Sequence, residues 1–360
     1  EGGQMWIYSR PEYRESLEIA YQSVPELKKL SQASIMITGA RGLIGSFLTD
    51  LLLYCIECKG YECQIYATGR DIKRLENRFE GWKIKERLHL LHYELGLTDG
   101  MVGFPAKVDY IIHCAGSGSP SVFMERPAEF VKNTVAGAYD ILDYARTAGT
   151  KKSLFISSGE IYGCGKTDVA AYGEGDIGYV DHLLPRSCYP VAKRTAENIW
   201  ISYGKERNIR TIIARVSHTY GPTALPEECR IAGLDAALHK ETIELKSEGR
   251  QRRSWCYVAD CVSGLFSILL KGKAGEAYNV APDDAFTISE MAETVADIAG
   301  KRVIYKLRPT QENQNFNPMD IAVLSTEKLK ALGRRSRFSL KDGINSTLQI
   351  MRYSEVLPDE

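Results

Sequence analysis

The stretch from about residue 34 to 222 predicts an α/β fold. It reads as a doubly wound parallel sheet covered by helices on both faces, followed by a smaller C-terminal α/β lobe over about 223–360. Three observations predict this. Short apolar runs alternate with helical stretches, the rhythm of buried parallel strands joined by crossover helices. A glycine-rich turn joins the first run to the first long helix. The alternation breaks after about Pro222, where helical segments sit among short strands and loops.

Taken in order, residues 1–33 read as a helical leader packed on the main domain. Tyr13, Leu17, Ile19, Ala20, Tyr21 and Val24 roughly mark one face, and Pro25 interrupts it. Strands are expected at Ile35–Thr38, Gln64–Thr68, Leu88–Tyr93, Tyr110–Cys114, Leu154–Ser157 and Thr211–Ala214. Helices are expected between them, notably at 43–57, 126–147 and 190–206. In the second lobe, 228–240, 258–271 and 288–299 read as helices, with some crossing of the chain between lobes.

Composition narrows the function classes. The chain has 360 residues, and its 46 Lys and Arg equal its 46 Asp and Glu. No net field attracts nucleic acid or an anionic membrane. The apolar runs fall short of the ~18 residues of a membrane span, and the polar, acidic start does not look like a signal peptide. Nine scattered cysteines without a disulfide spacing suggest reduced thiols and a cytoplasmic location. Cys55-Ile-Glu-Cys58, with Cys63 nearby, lacks the second ligand pair of a zinc site and reads as helix-end thiols, so no metal is expected.

Two motifs carry the chemistry. Gly39-x-x-Gly42-x-x-Gly45 follows a strand and opens an apolar helix, the context of a Rossmann-type dinucleotide site. The glycines permit a tight turn, and the helix N-terminus faces a pyrophosphate. The second strand ends Thr68-Gly69-Arg70-Asp71. A carboxylate there reads the ribose 2′-hydroxyl of NAD, whereas Arg70 suits the 2′-phosphate, favouring NADP over NAD. Arg70 could equally cap a surface turn, with Asp71 starting the next helix. Ser157-Ser158-Gly159-Glu160 and Tyr189-Pro-Val-Ala-Lys193 form the second motif. A free phenol is a poor base at neutral pH. Lys193, one helical turn on, favours the phenolate of Tyr189, while Ser158 at a strand end can bond the reacting oxygen. Glu160 reads as a substrate-positioning or proton-handling group, or as a hydrogen-bonded strand-end carboxylate. Arg253 can bind phosphate, His218 can line the pocket, and Trp255 and Tyr257 read as core.

These elements, with His113-Cys-Ala-Gly116, Asn133-Thr-Val-Ala-Gly137, Arg215-Val-Ser-His218-Thr-Tyr-Gly221-Pro222, Arg253-Ser-Trp-Cys-Tyr257-Val-Ala-Asp260 and Tyr278-Asn-Val, stand in an order that resembles extended short-chain dehydrogenases/reductases. The resemblance covers roughly 34–350 and points to the nucleotide-sugar epimerase, dehydratase and decarboxylase group. Arg186-Ser-Cys-Tyr189 and the Glu160 motif look most like UDP-glucuronate decarboxylases. The resemblance implies catalytic Ser158, Tyr189 and Lys193, with Glu160 handling substrate. It implies a cofactor site of Gly39, Arg41, Gly42, Leu43, Ile44, Gly45, Arg70, Cys114, Ala115, Gly116, Asn133 and Ser157. Glu94 and Leu95 would flank the adenine, and Lys193 would hold the nicotinamide ribose. It places Ser119, His218, Arg230 and Arg253 beside a nucleoside-diphosphate sugar. It also implies a homodimer through helices 126–147 and 190–206, whose apolar stripes could otherwise be intramolecular core. Two departures stand out: Gly159 where family dehydratases carry Asp, and His218 where many relatives carry Asn. The expected activity is redox-neutral sugar modification through a 4-keto intermediate, of decarboxylase or epimerase type. A net NADP-dependent reductase, which Arg70 suits, and a non-catalytic dinucleotide-binding protein are the competing readings. Retention of Ser158, Tyr189 and Lys193 weighs against the last.

Overall fold

The computed structural model describes residues 7–84, 86–96, 101, 103–164, 170–223, 234–307 and 319–352. The leader forms helix α1 (Pro11–Gln22), which starts on a proline that needs no hydrogen bond there. It buries Tyr13, Ser16, Leu17 and Ala20, leaving Ile19 and Tyr21 half-buried, and a 3₁₀ turn over Pro25–Leu30 follows.

The alternating region supplies β1 (Ser34–Thr38), α2 (Leu43–Lys59), β2 (Gln64–Gly69), α3 (Ile72–Phe79), β3 (Leu88–His92) and β4 (Tyr110–His113). It continues with α4 (Pro120–Glu125), α5 (Pro127–Thr147), β5 (Lys152–Ser158), α6 (Cys188–Arg207) and β6 (Thr211–Val216). All pairings in the main sheet are parallel, and its order is β3-β2-β1-β4-β5-β6 followed by strand Ala277–Val280. This is the Rossmann-type doubly wound arrangement. The strand order reverses beside β1, and ligands bind in such sheets outside the carboxyl ends at that reversal. Every residue of β5 is buried, as expected of a strand covered on both faces.

The second half is built from short pairings. His218–Tyr220 lies along Trp255–Tyr257, Thr242–Leu245 along Arg302–Tyr305, and Arg252–Arg253 between Phe286–Thr287 and Ile321–Ala322. Helices Val258–Lys271, Ile288–Ala299 and Leu340–Arg352 pack around them. Strand Ala277–Val280 returns to the main sheet beside β6. The helix expected at 228–240 is described only as Leu234–His239. The helix expected from residue 190 starts two residues earlier, at Cys188, so Tyr189 lies in its first turn. Among the described residues no helix is long and apolar enough to cross a membrane.

Candidate active site

The glycine-rich turn is shaped by close backbone approach. Gly39 has φ +67°, and a Cβ there would sit 2.8 Å from the Ala115 Cα. A Cβ on Gly45 would fall on the Gly39 carbonyl oxygen. Gly42 is extended at φ −65°, ψ 166°, and precedes α2 without a side-chain cap. The first N–H groups of α2 therefore face the crevice with the positive end of the helix dipole. Both cradle walls are thus backbone, which is what a pyrophosphate requires, and the residues present fit a dinucleotide. Leu43 and Gly45 are buried, and Arg41 and Ile44 are half-buried.

The far wall comes from β4 and the loop after it. Thr38 Oγ1 accepts from the Ala115 N–H at 3.1 Å and lies 2.7 Å from His113 Nδ1. The buried His113 ring is neutral at ordinary pH. Burial, with Lys193 second, pushes its pKa down to about 3. Burial also pushes the Cys114 thiol up, so it is not a thiolate. Gly116 has φ +133°. Glu94 and Leu95 follow β3, and Leu95 packs where Gly137 of α5 has no side chain. Asn133 lies against Gly96 in the same contact.

At the end of β2, Gly69 meets the Leu75 side chain and Arg70 is exposed. Asp71 caps α3, accepting from the Arg74 N–H at 3.1 Å. The acid nearest the strand end is therefore committed to starting a helix.

The second motif meets this cradle at the carboxyl end of β5. Lys193 is buried, and its Nζ donates to the Ile156 carbonyl at 2.9 Å, 4.8 Å from the Phe155 ring. Tyr189 stacks on Phe123 at 5.0 Å and on Phe130 at 5.7 Å, and the two phenylalanines touch each other at 5.6 Å. Ser158 Oγ accepts from the Glu160 N–H at 3.2 Å. Ser157 is buried beside it.

Glu160 accepts from Arg186 Nη2 through both carboxylate oxygens, at 3.2 and 3.0 Å. Arg253 is buried and also faces Glu160, while its Nη1 donates to the Arg252 and Asp320 carbonyls. Burial lowers the Arg253 pKa to about 10, with Glu160 and Asp320 opposing, so it stays charged at neutral pH. His218 packs against Trp255 at 5.4 Å. Ser119 starts α4, and Arg230 lies outside the described residues. A Cβ on Gly159 would stand 3.2 Å from the Leu324 side chain, so the position has little spare room.

The structure thus sets Ser158 and Glu160 at the end of β5, with Lys193 bonded to that strand and Tyr189 one turn before Lys193 on α6. It adds what motif reading did not assign: the bond of Arg186 to Glu160, the Phe123–Phe130 wall, and the Thr38–His113 bond. Arg186 was visible as a charge three residues before Tyr189. The phenylalanines carried no sequence signal, because they come from α4 and α5. On the outer helices, Ile141, Leu142, Ala192, Ala196, Ile199 and Trp200 are buried within the chain, so most of those stripes are intramolecular core. Tyr139 and Ile201 remain exposed, at 45% and 37%.

Fold and site together define an NAD(P)-dependent enzyme of the extended short-chain dehydrogenase/reductase type. The chain belongs to the NAD dependent epimerase/dehydratase family, whose sequence pattern matches residues 35–281. It is 29% identical over 316 residues to UDP-glucuronic acid decarboxylase 5 of Arabidopsis thaliana, covering 87% of this chain and 88% of that protein. It is 29% identical to UDP-glucuronic acid decarboxylase 1 of Danio rerio, covering 92% and 77%. Its fold is similar to a UDP-glucuronic acid 4-epimerase from Bacillus cereus solved with NAD, at TM-score 0.75 and 20% identity, covering 89% and 99%. It is also similar to a dTDP-glucose 4,6-dehydratase from Streptomyces venezuelae solved with NAD, at TM-score 0.74 and 22% identity, covering 89% and 97%.

Proposed function

We propose that the protein modifies a nucleoside-diphosphate sugar without net oxidation, through a transient 4-keto sugar, as a decarboxylase or an epimerase. The observation that carries this reading is Lys193 bonded to the Ile156 carbonyl of β5, one helical turn after Tyr189, with Ser158 ending the same strand. Decarboxylase relatives spanning most of the chain support it further.

The chain's own groups divide the work as follows. Tyr189 takes the proton of the sugar C4 hydroxyl, and Lys193 favours its phenolate by charge. Ser158 Oγ bonds the same oxygen, and the aromatic wall of Phe123 and Phe130 keeps water from the phenol. Gly39, Gly42, Gly45 and the start of α2 would hold the dinucleotide, which when bound takes up and returns hydride. If C6 is a carboxylate, the 4-keto sugar is a β-keto acid. Its C5–C6 bond then breaks, carbon dioxide leaves, the electron pair passes to the C4 oxygen, and C5 takes a proton. In an epimerase the keto sugar turns over, or inverts a neighbouring carbon, before reduction. Glu160, held by Arg186, orients the sugar or moves the proton after oxidation. Gly159 and its contact with Leu324 weigh against the 4,6-dehydration of relatives with Asp there.

At the finer level, Arg70 and the committed Asp71 favour NADP over NAD, although NAD is the cofactor in the solved relatives above. We also read the outer surface of α5 and α6, with Tyr139 and Ile201, as the contact of a homodimer. A concentration-independent monomer in sedimentation would remove that reading. The function itself is tested by incubating purified protein with UDP-, GDP-, CDP- and dTDP-sugars, including UDP-glucuronate, and identifying products by mass and NMR. Conversion of at least one sugar without consumption of added cofactor is expected. Stoichiometric oxidation of added NADPH would favour the reductase reading. Dinucleotide binding with no conversion would favour the binding protein.

A further inference from the structure

We infer that Arg186 is a positioning residue of this site, acting through Glu160 on one side and Phe123 on the other. The inference rests on the function proposed above. Arg186 lies on the 3₁₀ turn Pro185–Ser187 that leads into α6, three residues before Tyr189. Its side chain is 9% exposed, and that of Glu160 is 19% exposed. One guanidinium nitrogen, Nη2, bridges both Glu160 oxygens. The peptide N–H of Glu160 in turn donates to Ser158 Oγ. The guanidinium also lies 4.9 Å from the centre of the Phe123 ring, and Phe123 stacks on Tyr189 at 27°.

Two arms therefore leave one side chain. The polar arm runs Arg186–Glu160–Ser158, and the aromatic arm runs Arg186–Phe123–Tyr189. Phe123 is almost fully buried, so its ring cannot swing toward solvent. Both groups placed on the reacting hydroxyl, Ser158 and Tyr189, are thereby referenced to the same guanidinium. A planar guanidinium that lies over a ring while one of its nitrogens holds a carboxylate makes both contacts at once, which a lysine ammonium on a flexible stem does not hold in one geometry. Small misplacements at a reacting centre cost large factors in rate. Loss of Arg186 should then slow turnover while leaving nucleotide-sugar binding nearly intact.

The test is a double-mutant cycle of Arg186→Met and Glu160→Gln, read as kcat and KM with an accepted nucleotide sugar. Arg186→Met should lower kcat by about ten- to a hundred-fold, with KM within about three-fold. In the Glu160→Gln background the same change should cost clearly less than in the parent, because the polar arm is already weakened and only the aromatic arm is left to lose. Arg186→Lys should not restore kcat. Two results would overturn the inference: losses that multiply in the double variant, or a raised KM at unchanged kcat, which would make Arg186 a direct substrate ligand. Melting curves check folding, and if Arg186→Met is unfolded, Arg186→Lys takes its place in the cycle. If the parent converts no sugar, the proposed function fails. Crystal structures of the parent and the variant then decide the positioning claim by themselves. A shifted Glu160 carboxylate is expected, and an unmoved Glu160 and Tyr189 would contradict it.

Discussion

Two carboxylates, Asp50 and Glu160, are each gripped by an arginine, and they differ in what they leave unused. Asp50 sits in α2 with no exposed surface. It accepts from Tyr13 of the leader at 2.6 Å, from Trp82 Nε1 at 2.9 Å, and from Arg78, itself buried. Tyr8 stacks on Trp82 at 4.9 Å and seals the cluster. Glu160 is partly exposed, stands at a strand carboxyl end, and has Arg186 and Arg253 around it. The first cluster is closed: donors from three segments saturate one acid, and nothing else can enter. The second is partly open, with Glu160 19% exposed just past the end of β5. Saturation and burial mark a charge that holds the fold, whereas partial exposure at a strand end marks one available to a ligand.

The comparison breaks most visibly under substitution. Tyr189→Phe keeps the ring stacked on Phe123 and deletes the proton-accepting oxygen. Turnover should fall by ~10²-fold or more, with the melting temperature and dinucleotide binding nearly unchanged. Full activity in that variant would remove Tyr189 from the chemistry. Asp50→Ala should do the opposite. It leaves Arg78 buried without its partner, so stability should drop by about 3–5 kcal/mol, while the fraction that stays folded turns over normally. Denaturant titration paired with kcat reads both, and a mild stability loss with a large kcat loss would reverse the assignment of roles.

A third effect, small near neutral pH and growing with acid, concerns His113, whose pKa in the fold is about 3. The ordinary value in the unfolded chain is about 6.5. Between these values the unfolded chain binds a proton that the folded chain refuses. Stability should therefore fall as pH drops from about 6.5 toward 3, by up to about 1.4 kcal/mol per pH unit from this group. His113→Phe should flatten that acid limb; an unchanged limb would show that other groups cause it. The smallest effect is at the cofactor's edge. Arg70→Ala should weaken NADP several-fold and NAD little. Equal losses, or a parent that prefers NAD, would end the NADP reading.

The central strands were legible because β1, β4 and β5 each centre on an apolar run, Ile35–Ile37, Ile111–Ile112 and Leu154–Ile156. The glycine turn was legible because one of its close approaches is local, Gly45 on Gly39 six residues away; the approach of Gly39 to Ala115 crosses between strands and was not. The start of α6 was displaced by two residues because Pro190 reads as a helix start, yet a proline is tolerated anywhere in the first turn. The partners of Glu160 were not legible, since Arg186 is 26 positions away and Phe123 touches it only through the packing of α4 on α6. Asp50 left a trace that was available: a lone acid inside the apolar run of α2 implies buried donors. The return of Ala277–Val280 to the main sheet could not be read from its own sequence, because a four-residue apolar strand does not name its neighbour.

The central claim is that a hydrogen leaves sugar C4 and comes back to it. The most direct measurement uses a nucleotide sugar accepted by the protein, carrying deuterium at C4, turned over in ordinary water without added reductant. The account predicts a product that retains the deuterium at C4, with no net change in cofactor. Deuterium lost to solvent, or product formed only with stoichiometric cofactor consumption, would contradict it.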